Sequence, residues 1–165
     1  MNRDQTLTRS AQSVQDVLTK KGFTCQVLVL SESTRTAVDA ANTIGCDEAQ
    51  IVKSLIFKTK LTEKPVLILA SGPNRVNEQV IESHVGEKIT KADAGFTREV
   101  TGFAIGGIPP VGHKHIIDHI FIDEDLLKFD NVWAAAGTPH AVFNLQSKDL
   151  LALTAGRVIS IMKGE

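Results

Sequence analysis

The feature that most constrains the fold is the spacing of the apolar runs. Strand-sized runs occupy residues 24–30, 53–60, 65–70, 116–122, 132–136, 141–145 and 157–162. Several are separated by links too short for a helix, such as the polar turn 61–64 and the Gly137-Thr-Pro-His140 turn. Strands joined that closely pair antiparallel, whereas parallel pairing needs a longer crossover. Helical patterns fall between the others: 8–20, where Val14, Val17 and Leu18 repeat at helical spacing before Gly22; 33–44, ending at Gly45; 77–84; a short helix N-capped by Asp93; and one from Ser147 to Gly156. Strands outnumber helices and do not alternate strictly with them. The expectation is an α+β fold with a mixed, largely antiparallel sheet flanked by helices, not a doubly wound nucleotide fold.

The chain has 165 residues, 42% of them hydrophobic and 22% charged. That suits one domain, 1–165, with a single core and no disordered tract. The first twenty residues are polar, without a signal-peptide core, and no apolar run approaches membrane-spanning length. A cytoplasmic protein with no membrane partner is expected, with Cys25 and Cys46 both reduced. Net charge is −1. A DNA- or RNA-coating protein would be clearly basic, so such a role is disfavoured, no DNA partner is expected, and any nucleic-acid contact must be few-sited and local.

Common catalytic motifs are missing. There is no phosphate loop, GxSxG elbow, HExxH or paired CxxC. His113, His115 and His119, with Asp118 and Asp123 nearby, could suggest a metal, but loop and strand-end histidines explain them more simply, and no metal or cofactor is expected. Three other stretches could carry chemistry. The Gly102–Gly112 stretch, GFAIGGIPPVG, would let a ligand approach the backbone of Gly106 and Gly107, with Pro109 and Pro110 stiffening the turn. It could equally be an ordinary connection. Lys53 opens an apolar strand and either snorkels to solvent or points a cation into a cleft. His140 ends a turn and could stand at a pocket rim or be a plain turn histidine.

The order of these stretches resembles the YbaK and prolyl-tRNA-synthetase-associated editing-domain family. Ile51-Val-Lys53-Ser-Leu is followed by Ala70-Ser-Gly72, then Arg75-Val-Asn-Glu78 entering a helix. The loop Gly106-Gly-Ile-Pro-Pro110 and the late turn Gly137-Thr-Pro-His140 complete the set. The resemblance runs from about Cys25 to the C-terminus. It implies a curved mixed sheet and a free-standing hydrolase that removes a wrongly attached small amino acid from tRNA, often tRNA for proline. It assigns catalytic roles to Lys53, Gly106, Gly107 and Pro110. It places Ser71, Gly72 and the Gly137–His140 turn around the substrate; the small pocket this requires is expected to be walled by Ile108, Val111, Leu55 and that turn.

An aminoacyl ester is already activated, so such an enzyme needs only to position it, polarise its carbonyl and place a water. On this reading the N–H groups around Gly106 and Gly107 bind the developing oxyanion. Lys53 holds the terminal phosphate or the oxyanion. The partner is the aminoacyl-tRNA acceptor end, touched by lysines such as Lys58, Lys60 and Lys64. A synthetase or elongation factor could supply further affinity. The alternative is a non-catalytic tRNA- or synthetase-binding module of the same fold.

Overall fold

The computed structural model describes residues 6–162. Helix α1 (Arg9–Lys20) begins where the Thr8 hydroxyl accepts a hydrogen bond from the Ala11 N–H at 3.2 Å, satisfying a donor that every helix start leaves free. Ala11, Val14 and Leu18 share one face and are buried in the main core. Burying a side chain such as Leu18 contributes about 1.5–3 kcal/mol, so α1 is held by packing on the sheet.

The remaining elements are β1 (Leu28–Val29), α2 (Ala37–Ile44), β2 (Ile51–Thr59), β3 (Pro65–Ser71), α3 (Glu78–Val85), β4 (Ile89–Lys91), α4 (Ala94–Thr101), β5 (His119–Asp123), β6 (Asn131–Ala135), β7 (Ala141–Gln146), α5 (Asp149–Thr154) and β8 (Arg157–Ile159). Short 3₁₀ helices cover Glu48–Gln50 and Glu124–Lys128. The sheet order is β1-β7-β6-β2-β3-β5-β8, with β4 pairing onto β2. The pairs β1–β7, β2–β3, β2–β4 and β6–β7 are antiparallel. The pairs β2–β6, β3–β5 and β5–β8 are parallel. The sheet is mixed, as expected, but parallel pairing has a larger share than the hairpin links implied. The long excursion through α3, β4, α4 and the Gly/Pro loop brings the chain back in its original direction, so β5 lies parallel to β3.

Alternation along β2 splits the interior into layers. Val52 and Ile56 join the core shared with α1, whereas Phe57 and Leu55 pack with Ile68 and Ile81 on the other face. β3 is buried from Val66 through Ser71, as suits a central strand covered on both faces.

Several boundaries differ from the sequence pattern. The apolar run 24–30 yields only the two-residue β1. Helix α2 starts at Ala37 because the Thr36 hydroxyl caps it, accepting from Asp39 N–H at 3.1 Å. β5 starts at His119, since residues 113–118 remain in the loop. Helix α5 ends on Ala155 at φ 58°, not on Gly156. Gly156 is needed for packing: a Cβ there would come within 2.9 Å of Ile120 Cγ2.

One irregularity positions the site. On the β2 edge away from β3, β6 is in register only with Ile51 and Val52, and β4 only from Phe57 onward. The middle of β2 therefore faces a break in the sheet.

Candidate active site

A two-lobed cleft opens at this break. One lobe, of about 350 Å³, is lined by Thr34, Arg35, Thr36, Val52, Gly106 and Ala135. The other, of about 460 Å³, is lined by Phe57, Asn74, Arg75, Glu78, Lys91 and Thr97, among others. Lys53, Ser54, Leu55, Ile105 and Ile108 border both lobes. The first lobe has mainly apolar walls; the second carries most of the charge.

Lys53 reaches this junction from β2. Its Nζ donates to the carbonyl of Gly72 at 3.0 Å and to that of Asn74 at 2.8 Å. An ammonium has three donors, so one remains for a ligand. Burial lowers its pKa from the usual lysine range; nearby Arg75 and Lys91 act the same way, while Glu48 and Asp123 oppose them. A second set of bonds fixes those carbonyls. Asn74 Nδ2 donates to Asp123 Oδ2 and to Asp125 Oδ2, each at 2.8 Å. Asp123, 1% exposed, also accepts from the N–H of Ser71 at 2.9 Å and of Asp125 at 3.0 Å. Gly72 must lack a side chain, because a Cβ would lie 2.3 Å from the Glu48 carbonyl oxygen.

The glycine loop lies across the cleft. Gly106 lines the smaller lobe at φ 99°, with the Arg35 side chain over it: a Cβ would meet Arg35 Cγ at 2.8 Å. Gly107 plays a different part. Its N–H donates to the Ala104 carbonyl at 3.1 Å and its carbonyl accepts from the Gly137 N–H at 2.9 Å. With its donor used inside the turn, Gly107 cannot serve as the oxyanion donor expected of it. The Gly106 N–H has no hydrogen-bond partner among the described residues.

The other expected site residues divide. Ile108 stands in the cleft wall. Pro110 is buried beneath the loop, and Val111 lies in the core. Ser71 is buried and commits its hydroxyl to the Ala49 carbonyl at 2.6 Å; like Gly72, it supports Lys53 and lines neither lobe. His140 is exposed and borders a separate hollow with Thr8, Val29 and Leu30. Its backbone explains this placement: the His140 carbonyl accepts from Leu30 N–H at 2.7 Å, tying the turn to β1. The turn supports the cleft through Pro139, whose carbonyl accepts from Thr34 N–H and Thr34 Oγ1, and through Gly137, whose N–H bonds the glycine loop.

Lys58, Lys60 and Lys64 line neither lobe. Lys58 pairs with Glu63 at 3.5 Å and lies over the Phe96 ring. Besides Lys53, the cations that line the cleft are Arg35, Arg75 and Lys91, all exposed. Sequence reasoning missed Arg35, Lys91 and the Asp123–Asn74 pair in this role. In the sequence Asp123 stands out only beside the histidines, and Asn74 belongs to none of the ordered motifs. His113 Nε2 meets the Pro109 carbonyl at 2.8 Å, and burial lowers its pKa. Among the described residues no three His, Cys, Asp or Glu side chains gather as a metal-binding set, and no helix is long and apolar enough to cross a membrane.

The chain is thus a small α+β domain with a half-buried lysine at the junction of a two-lobed cleft rimmed by Arg35, Arg75 and Lys91. The comparisons specify it further. The aminoacyl-tRNA editing domain profile matches residues 31–153, and the chain belongs to that family. A solved structure provisionally assigned as a trans-editing enzyme for prolyl tRNA synthetase superposes with a TM-score of 0.90 and 44% identity, covering 96% of this chain and 100% of that one. The hypothetical protein APE2540 superposes with a TM-score of 0.84 and 27% identity, over 90% of this chain and 98% of that one. YwhH of Bacillus subtilis, itself uncharacterized, is 28% identical over 90% of this chain and 94% of its own length. The proline–tRNA ligase of Limosilactobacillus fermentum is 33% identical over 55% of this chain, which corresponds to 16% of that ligase.

Proposed function

We propose that this protein is a trans-acting aminoacyl-tRNA deacylase, which hydrolyses the ester joining a small, wrongly attached amino acid to the 3′ end of a tRNA, with tRNA for proline as the first candidate. The observation that carries the reading is Lys53, held by the Gly72 and Asn74 carbonyls with one donor left over at the junction of the two lobes. The smaller lobe, walled by Val52, Ala135 and Ile108, suits the amino-acid end. The larger, with Arg75 and Lys91, suits the terminal nucleotide and its phosphate.

In the reaction, Lys53 binds the terminal phosphate or the ester oxygen, and Gly106 N–H faces the acyl carbonyl as charge builds on it. The ribose hydroxyl beside the ester orients the attacking water. Water adds to the acyl carbon, the bond to the ribose oxygen breaks, and free amino acid and tRNA leave. Such a site would correct a synthetase whose own pocket cannot strongly reject a smaller amino acid, since one methylene is worth only about 1–3 kcal/mol.

The test is ester loss from tRNA for proline charged separately with alanine, 2-aminobutyrate, serine, threonine, cysteine and proline, using wild type and Lys53→Ala. Rapid, Lys53-dependent loss of one small amino acid, with proline spared, is the expected result. Binding of the acceptor end without ester loss from any tRNA would replace this reading with a non-catalytic module.

A further inference from the structure

Ser54 stands where the two lobes meet and where the sheet is broken. The direction of its peptide groups follows from its neighbours. Thr59 N–H donates to the Lys64 carbonyl across the β2–β3 hairpin, and Ala92 N–H donates to the Ile56 carbonyl on the opposite edge. In an antiparallel pair, alternate residues turn their peptide groups to the same side. Odd-numbered residues of β2 therefore bond β3, and even-numbered ones face away from it. Val52 is matched there by Ala134 of β6, and Lys58 by Thr90 of β4. Ser54 is left without a strand opposite it. Its hydroxyl is also buried and has no hydrogen-bond partner among the described residues. One residue on the cleft floor thus carries an unmatched donor, an unmatched acceptor and an unmatched hydroxyl.

An open donor–acceptor pair on a strand edge is complementary to the backbone of another residue in extended form. We propose that Ser54 is the docking rung for the aminoacyl group itself, an inference that rests on the aminoacyl-ester reading above. The acyl carbonyl accepts from Ser54 N–H and the α-amine donates to the Ser54 carbonyl, as one antiparallel residue pair, with the hydroxyl as a third contact. The amine and carbonyl are common to every aminoacyl ester. Anchoring them on the strand leaves Val52, Ala135 and Ile108 to sort the side chain by size. The arrangement also gives the carbonyl a donor in place of the Gly107 N–H, which the turn consumes.

The experiment is a titration of the full, ¹⁵N-labelled chain with 3′-alanylamino-3′-deoxyadenosine, whose amide resists hydrolysis, and with its 3′-propionylamino counterpart, which lacks the amine. The expected result is a large shift and slowed exchange of the Ser54 amide with the alanyl compound, and about tenfold weaker binding of the propionyl compound. A Ser54 amide that does not respond at saturation, equal affinity for the two, or no binding of either overturns the proposal. None of these outcomes depends on turnover, so they are separate from failure of the hydrolysis assay. Ser54→Ala is expected to keep or raise Tm while weakening the alanyl compound about fivefold. A lowered Tm with unchanged affinity would assign the hydroxyl to folding and overturn its part in docking.

Discussion

The Gly137 N–H donates to the Gly107 carbonyl at 2.9 Å, so the late turn holds the glycine loop from behind. Gly137 can do this only without a side chain. It has φ 94°, and a Cβ would lie 2.9 Å from the Ser10 carbonyl oxygen of α1. Gly137→Ala combines a strained backbone with a clash in a packed region, and should cost about 1–3 kcal/mol of stability. For a domain of this size that lowers Tm by roughly 2–4 °C per kcal/mol, measurable by calorimetry. An unchanged Tm would mean that α1 yields to the methyl group without loss.

Lys53→Ala and Lys53→Arg should both retain the fold and lose about 10²–10³-fold in kcat/KM, the usual effect of removing one preorganised donor to a developing charge. Arginine keeps the charge but cannot place one compact ammonium between the Gly72 and Asn74 carbonyls. Circular dichroism checks folding, and ester release checks activity. Full activity in Lys53→Arg would show that only net charge matters there.

The same lysine predicts a pH effect. Burial makes its ammonium easier to deprotonate than a free lysine's. Activity that needs the charged form should fall as pH rises through this lowered pKa, below the ordinary lysine range, once spontaneous ester hydrolysis is subtracted. The stability sign is opposite. Below the lowered pKa the half-buried charge weakens the fold, so its removal between the folded and unfolded pKa values raises stability. Activity and Tm measured together should diverge on the alkaline side, and the divergence should vanish in Lys53→Ala.

The sequence pattern was a good guide to whatever local chemistry decides. Helix α1, the hairpin of β2 and β3, and the placement of Lys53, Gly106 and Ile108 at one cleft all follow from periodicity, turn residues or ordered motifs. Properties set by side-chain direction and distant pairing were not legible. Nothing near residue 140 shows that its carbonyl is taken by Leu30, which keeps His140 out of the cleft. Nothing near residue 107 shows that its N–H closes a turn on Ala104. The Asn74–Asp123 bond joins residues far apart in the chain, and only the parallel pairing of β3 with β5 brings them together.

That bond gives a prediction about positioning. Both oxygens of Asp123 accept hydrogen bonds: Oδ2 from Ser71 N–H and Asn74 Nδ2, and Oδ1 from Asp125 N–H. Asp123→Asn can keep one oxygen only, and its NH₂ would face a donor on the other side. The loss should be about 1–3 kcal/mol. Because Asn74 carries one of the carbonyls that hold Lys53, kcat should fall more than KM rises. Asn74→Asp should be worse, since it brings a third carboxylate beside Asp123 and Asp125. A stability loss with unchanged kcat would confine this network to folding.

His113 offers a test on the acid side. Its ring Nε2 bonds the Pro109 carbonyl, which favours the charged ring, but burial dominates and lowers its pKa. The folded protein therefore takes up this proton less readily than the unfolded chain. Stability should fall as pH drops from the usual imidazole range toward the lowered pKa, and level off below it, by at most about 1.4 kcal/mol per pH unit. His113→Gln keeps a donor for the Pro109 carbonyl and cannot titrate. Its urea midpoint should stay flat across that window while the wild-type midpoint declines. Parallel declines in the two proteins would place the acid sensitivity elsewhere, and would leave the Pro109 contact as a hydrogen bond without a titration.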